Sequence, residues 1–206
     1  MLGGGMRSGL RLGLAIALAV LATPLAAQGI NGGSEGEAFL TALRERDNNK
    51  ALPMISDVDL RVVNYRGYKG DTGLHIVTRQ RQLDWVGFLL QKGASPNIGD
   101  ADGDTPLILA SRIGFEEAAR FLLQYNASVD ATNRRGETAL IVAVQQKQPR
   151  IVELLMKAGA DPDKTDHAAG YSARDYAKRD TRNRELLKLI ETTKSTKKKV
   201  AGPGLN

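Results

Sequence analysis

Apolar residues in the middle of the chain return at helical spacing, in blocks that recur. Leu74, Leu107 and Leu140 each open an apolar stripe. A second stripe follows each one: Trp85, Phe88 and Leu89, then Ala118, Phe121 and Leu122, then Ile151, Leu154 and Leu155. Each double stripe predicts two short amphipathic helices. Gly70, Gly103, Gly136 and Gly170 lead the blocks, separated by 33, 33 and 34 residues. Segments 70–97, 103–130 and 136–163 align without gaps, and 170–191 is a shorter, looser fourth copy. A period near 33 predicts a solenoid whose unit is helix–turn–helix plus a β-turn finger.

Residues at the block boundaries support this register. Thr72, Thr105 and Thr138 stand where they can cap the first helix of a unit. Pro106 falls in a first turn, where a helix tolerates proline. Gly93 and Gly159 end second helices with a left-handed residue, and Asn126 meets the same backbone demand in the copy between them. The extra residue between the third and fourth copies falls in the loop Asp161 to Ala169.

The pattern weakens toward both ends. Asn64 precedes Gly70 by six residues, as Asn97 precedes Gly103. Upstream, Glu37 to Arg46 and Asn49 to Ser56 predict two helices, with Phe39, Leu40 and Leu43 turned inward and Pro53 weakening the second. This reads as an N-terminal capping unit. Leu186, Leu187 and Ile190, set among charged residues, suit a C-terminal cap. Gln28 to Ser34 and Thr192 to Asn206 lack apolar periodicity and are expected to fray. At the start of the chain, Arg7 and Arg11 precede an apolar run from Leu12 to Ala22, followed by Leu25-Ala26-Ala27-Gln28. That is the layout of a secretory signal peptide, with cleavage expected after Ala27. The run is too short for a bilayer, which needs about 20 residues, so no transmembrane segment is expected after cleavage.

The blocks resemble the ankyrin repeat family. Its G-x-T-P-L-H-x-A run is matched best by Gly103-Asp104-Thr105-Pro106-Leu107 and Ala110, while the first copy keeps His75. The later L-L-x-x-G-A-x-x-N run appears as Leu89-Leu90, Gly93-Ala94 and Asn97, and recurs twice. The resemblance implies an all-α ankyrin-repeat solenoid of stacked helix-turn-helix units with β-turn fingers, about three full repeats plus degenerate capping units. The layout is then a signal peptide over 1–27 and a degenerate N-terminal capping repeat over 35–67. Repeats follow over 68–100, 101–133 and 134–167, then a partial C-terminal capping repeat over 168–191 and a lysine-rich tail over 192–206.

Charge changes the picture less than its total suggests. The chain carries 29 Lys+Arg against 23 Asp+Glu, a net charge of +6. Arg7, Arg11, Lys194, Lys197, Lys198 and Lys199 lie at the two ends, and removing these six leaves 23 of each sign. A balanced body is no argument for a nucleic-acid partner. The lysine tail is expected to be a solvated end, with weak contact to an anionic surface as the alternative. With no Cys and two His there is no disulfide framework or thiolate site.

Catalytic and metal chemistry find little to use. Asp100 to Asp104 begins like a calcium loop, but Thr105 and Ser111 stand where such a loop needs Gly and Glu. His75 occupies the ankyrin histidine position, which implies a hydrogen-bond role between units, and His167 is expected on an exposed finger. Trp85 falls in an apolar stripe and is expected in the core. No nucleophile-elbow or zinc-binding run is present, so no enzyme activity, metal or other cofactor is expected.

What remains is recognition. The resemblance implies partner contacts at variable positions on a concave face of finger tips and first helices. These are Tyr68, Lys69, Asp71, Arg79 and Gln80 in the first repeat, and Asp102, Asp104, Arg112 and Ile113 in the second. The third supplies Arg134, Arg135, Glu137, Gln145 and Gln146, and the fourth Tyr171 and Arg179. Their mixture of Arg, Tyr and Asp suits a protein-binding surface. The expected protein is a monomeric interaction module, exported to the periplasm of a Gram-negative bacterium or beyond. A secreted effector acting on proteins of another cell is the second reading.

Overall fold

The structure, a computed structural model, describes residues 32–55, 60–181 and 184–193. The proposed signal peptide and the Lys194–Lys199 cluster lie outside the described residues. Within them the chain forms eleven helices and no named strands.

The helices come in pairs. α1 (Gly32–Glu45) and α2 (Asn48–Met54) form the first pair, followed by the short α3 (Leu60–Val63). Then come α4 (Gly73–Arg79) with α5 (Leu83–Gln91), and α6 (Pro106–Ile113) with α7 (Glu116–Gln124). α8 (Ala139–Gln145) with α9 (Pro149–Lys157) and α10 (Ala173–Arg179) with α11 (Arg184–Thr192) complete the stack. Each first helix packs on its own second helix and on the first helix of the next unit. That is the all-α repeat solenoid expected from the period.

The boundary residues act as their chemistry dictates. Thr105 and Thr138 accept from the N–H of Ile108 and Ile141, three residues on, at 3.3 and 3.2 Å. Ser172 and Asp175 form a reciprocal capping box at α10. Gly93, Asn126 and Gly159 have φ of 88°, 64° and 87°, so three different sequences meet one left-handed requirement. Helix formation reaches further than expected at both ends: α1 starts at Gly32 and α11 stops only at Thr192. Pro53 lies inside α2, whose last helical residue is Met54. The four-residue α3 has no counterpart in the sequence reading.

A continuous core runs through the stack. Phe39, Leu40 and Leu43 are enclosed in the N-terminal pair, as are Leu186 and Ile190 in the C-terminal one. Trp85 is buried, and its Nε1 donates to Asn48 Oδ1 at 2.8 Å. All six residues from Ala139 to Val144 are buried, as befits a helix that is apolar all round. No buried side-chain polar atom among the described residues lacks a hydrogen-bond partner.

Successive units are stapled by side chains that reach backbone. Asn64 Oδ1 accepts from Ser95 N–H at 2.7 Å, and its Nδ2 donates to the Gly93 carbonyl at 3.1 Å. Asn97 repeats both bonds one unit later, with Ser128 at 2.7 Å and Asn126 at 3.2 Å. Asp130 accepts from Asp161 N–H at 2.9 Å. A second staple lies at the turn between paired helices. Arg46, Arg81 and Lys147 hold φ of 59°, 59° and 55°, a region that disfavours side chains. Arg46 donates to the Gln80 carbonyl at 3.3 Å, and Arg81 to the Ile113 carbonyl at 2.9 Å. Each cation thus sits at the C-terminal end of the next first helix, where the helix dipole favours it. Lys147 instead pairs with Asp180 at 3.2 Å.

His75 is the third staple. Thr72 approaches its Nδ1 with a backbone N–H at 3.2 Å and a hydroxyl at 2.9 Å. Nδ1 is therefore the acceptor, so Nε2 carries the proton and donates to the Asp104 carbonyl at 2.9 Å. Burial pushes the His75 pKa below its ordinary 6.5. The unfolded chain then takes up a proton near pH 6.5 that the native state refuses, so stability is full above that value and falls below it. Thermal melts between pH 7.5 and pH 5 should show this decline, at most about 1.4 kcal/mol per pH unit. His75→Gln should flatten it, and an equal slope in the variant would assign the decline to other groups.

Candidate protein-docking face

Each finger is a hairpin closed by backbone. Gly67, Asp100 and Asn133 donate their N–H to the carbonyls of Asp71, Asp104 and Glu137 at 2.9, 3.0 and 3.1 Å. In the fourth finger Asp166 N–H reaches Tyr171 O at 3.0 Å, one residue further on, which locates the extra residue inside the finger. Gly70, Gly103 and Gly136 turn the tips with φ of 72°, 79° and 76°. A Cβ on Gly70 would lie 2.7 Å from the backbone N of Ala101 in the next finger, so glycine also permits the close stacking. Neighbouring tips are joined by three rungs: Ala101 N–H to Lys69 O, Arg134 N–H to Asp102 O, and His167 N–H to Arg135 O, at 3.2, 3.0 and 2.8 Å.

In the second, third and fourth fingers one side chain braces the turn from within, at the position that Gly67 holds in the first. Asp100 Oδ1 accepts from the N–H of Asp102 and of Asp104, both at 3.0 Å. Asn133 Oδ1 does the same for Arg135 and Glu137, both at 2.9 Å. Asp166 Oδ1 collects the N–H groups of Ala168, Ala169 and Gly170 at 3.1, 2.8 and 3.0 Å. Burial opposes the charge of Asp166, but the Tyr176 hydroxyl and these amides outweigh it and hold the carboxyl below its usual range. In the acidic run Asp100 to Asp104, Asp100 is thus occupied by its own backbone and Asp104 by Arg112 and Asn133, and no group of three or more acidic or histidine ligands fit for a metal occurs among the described residues.

The sixteen expected contact residues divide into three groups. Tyr68, Lys69, Arg79, Asp102, Arg134, Arg135, Gln146 and Arg179 are exposed. Gln80, Arg112, Ile113, Gln145 and Tyr171 are half-buried. Asp71, Asp104 and Glu137 correct the expectation that structure leaves these positions free: they are only 5, 7 and 9% exposed. Arg44 holds Asp71 at 3.3 Å. Arg112 holds Asp104 at 2.8 Å, and Arg135 holds Glu137 at 2.8 Å. Asn133 Nδ2 ties the last two carboxylates together, donating to Asp104 Oδ1 and Glu137 Oε2 at 2.8 Å each. Arg112 and Arg135 are therefore committed to the framework as well.

These ion pairs also join the two parts of the face. Arg79 and Arg112 project from the ends of first helices onto finger carboxylates, Arg79 reaching Asp100 at 3.7 Å. Tyr171 packs edge-on against Tyr176, with the Arg179 guanidinium 4.7 Å from its ring centre. Tyr68 is 81% exposed, with Lys69 and Arg44 at 5.6 and 5.9 Å from its ring. His167 is exposed on the fourth finger.

The sequence reading missed the finger braces Asp100, Asn133 and Asp166, although their spacing of 33 residues was visible. It also missed Arg44, whose role shows only when Asp71 is brought beside it.

The family model for ankyrin repeats, in three copies, matches residues 74–166. No curated protein matches the chain. Three finger-bearing helix pairs in register, with staples at fixed offsets, are what that match describes in atoms: over residues 74–166 the chain is similar to ankyrin repeats.

Proposed function

We propose that this protein is an exported, non-enzymatic interaction module that docks a partner protein on its fingers and first helices. Ankyrin repeats generally serve protein–protein interaction, and the division of the face carries the reading. Asp71, Asp104 and Glu137 are turned inward and neutralised, which fixes the tips. Its eight exposed residues, among them Tyr68, Lys69, Arg79 and Arg134, ride on that framework, and of the eight only Arg79, Arg135 and Arg179 bond to another side chain of the face, through Asp100, Glu137 and Tyr171. Aromatic and cationic side chains held on a rigid scaffold supply contact area at low entropic cost. The basic start, apolar centre and small-residue end of segment 1–27 support export.

The test is crosslinking capture from the extracytoplasmic fraction, read by mass spectrometry. Tyr68→Ala, Lys69→Glu, Arg134→Glu and Gln146→Glu are combined in one variant, because these side chains are exposed. Arg112 and Arg135 are left in place, since reversing them would break the internal ion pairs. The native chain is expected to capture a protein that the folded variant loses. Equal capture by both would remove the docking role from this face.

A further inference from the structure

The charge on the finger tips is arranged, and the arrangement specifies a kind of partner. Asp71, Asp100, Asp104 and Glu137 are each answered by an arginine of the chain. Among the described residues, no carboxylate pairs with Arg66, Lys69 or Arg134. Arg66 spends its donors on the carbonyls of Gly70 and Gly99 instead. The three rungs place the tips side by side, so the exposed row runs Tyr68 and Lys69, then Asp102, then Arg134 and Arg135. It is positive, negative and positive in order.

Packed helical units lie about 8–10 Å apart. At the tips the rungs are tighter: Lys69 O to Ala101 N and Asp102 O to Arg134 N, at 3.2 and 3.0 Å with one dipeptide between them, hold the main chains that bear Lys69 and Arg134 within roughly 13 Å of each other, the reach of about four residues of extended chain. We propose that the tips bind an extended acidic polypeptide segment with two carboxylate groups about that far apart. One carboxylate meets Lys69, beside the exposed ring of Tyr68, and the other meets Arg134. Asp102 faces the residues between them and favours a neutral or basic spacer. A uniformly charged polyanion such as a nucleic acid would have to lay negative charge across Asp102, which counts against it. The inference rests on the docking reading and narrows it to one class of partner.

The experiment is fluorescence anisotropy with the full chain and labelled synthetic peptides. One peptide carries two Glu pairs separated by a Ser/Lys spacer matched to the first-to-third-finger distance. A second carries the same residues with the Glu pairs adjacent, and a third replaces Glu by Gln. A short oligothymidylate is the polyanion probe. The spaced peptide should bind about tenfold more tightly than the adjacent one, with affinity falling as salt rises. Lys69→Glu and Arg134→Glu should each weaken it about tenfold, whereas Arg150→Glu, on α9, should not. Asp102→Lys should abolish the preference for spacing. Lys69→Gln and Arg134→Gln give the same comparison should a reversal lower the melting temperature. No binding, no spacing preference, equal loss in Arg150→Glu or tighter binding of the oligonucleotide would each overturn the proposal. A captured protein whose crosslinked segment lacks acidic residues would overturn it too, while leaving the docking face standing.

Discussion

Replacing Leu140 by alanine is expected to destabilise the stack by about 3–5 kcal/mol, the range for a fully enclosed leucine whose site cannot collapse. Leu140 is 0% exposed and lies in α8, which packs against α6, α9 and α10. Its neighbours Ala139, Ile141, Val142, Ala143 and Val144 are themselves buried, so little can move in to fill the space. The position is also central, and repeat stacks depend on nearest-neighbour interfaces. A cavity here weakens the interfaces toward both ends, whereas Ile190→Ala in the terminal α11 weakens one. Denaturant melts of both variants would check this. A loss of under about 1 kcal/mol for Leu140→Ala, well below the range for buried leucines, would mean that the core repacks around it.

The second large effect is expected at Asn133, an uncharged residue with four bonds. Its Oδ1 accepts from two backbone N–H groups and its Nδ2 bridges Asp104 and Glu137. Alanine would leave two amides and two enclosed carboxylates short of a partner, at about 3–4 kcal/mol in all. Asn133→Asp separates the two duties. It keeps the acceptor, as Asp100 and Asp166 do in their own fingers, but it removes the bridging donor and adds a third negative charge. Both variants should therefore unfold earlier than wild type in urea. If Asn133→Asp matched wild type, the bridge between Asp104 and Glu137 would contribute nothing.

The stack was legible because its demands recur. Asn126 looks unlike Gly93 and Gly159, yet its place in the period assigned it the same left-handed backbone, and its positive φ agrees. Asn64 was legible in the same way, and it makes the bonds of Asn97. The acids beside the leading glycines were misread for a physical reason. Asp71, Asp104 and Glu137 recur at the same spacing as Thr72, Thr105 and Thr138. The threonines have partners three residues away, inside the pattern. The acids are held by Arg44, Arg112 and Arg135, which sit at three different offsets, so periodicity could not reveal their burial. α3 is a single turn, too short to show a stripe. The left-handed Arg46, Arg81 and Lys147 carry no local signal, and only Gly114, with φ of 67° in the same turn of the second repeat, betrays that backbone.

The staples have a grammar. Asn64, Asn97, His75, Arg46 and Arg81 each offer a side chain, and each is received by the main chain of the following unit. Main-chain atoms are the same whatever residue bears them. For these clips a unit need encode nothing to be held by its predecessor beyond folding correctly, whereas the Lys147–Asp180 and Arg44–Asp71 links also require the receiving acid. Spliced-in copies should be accepted downstream of any unit that keeps its Asn and its cation, and the array can lengthen without its existing members being rewritten.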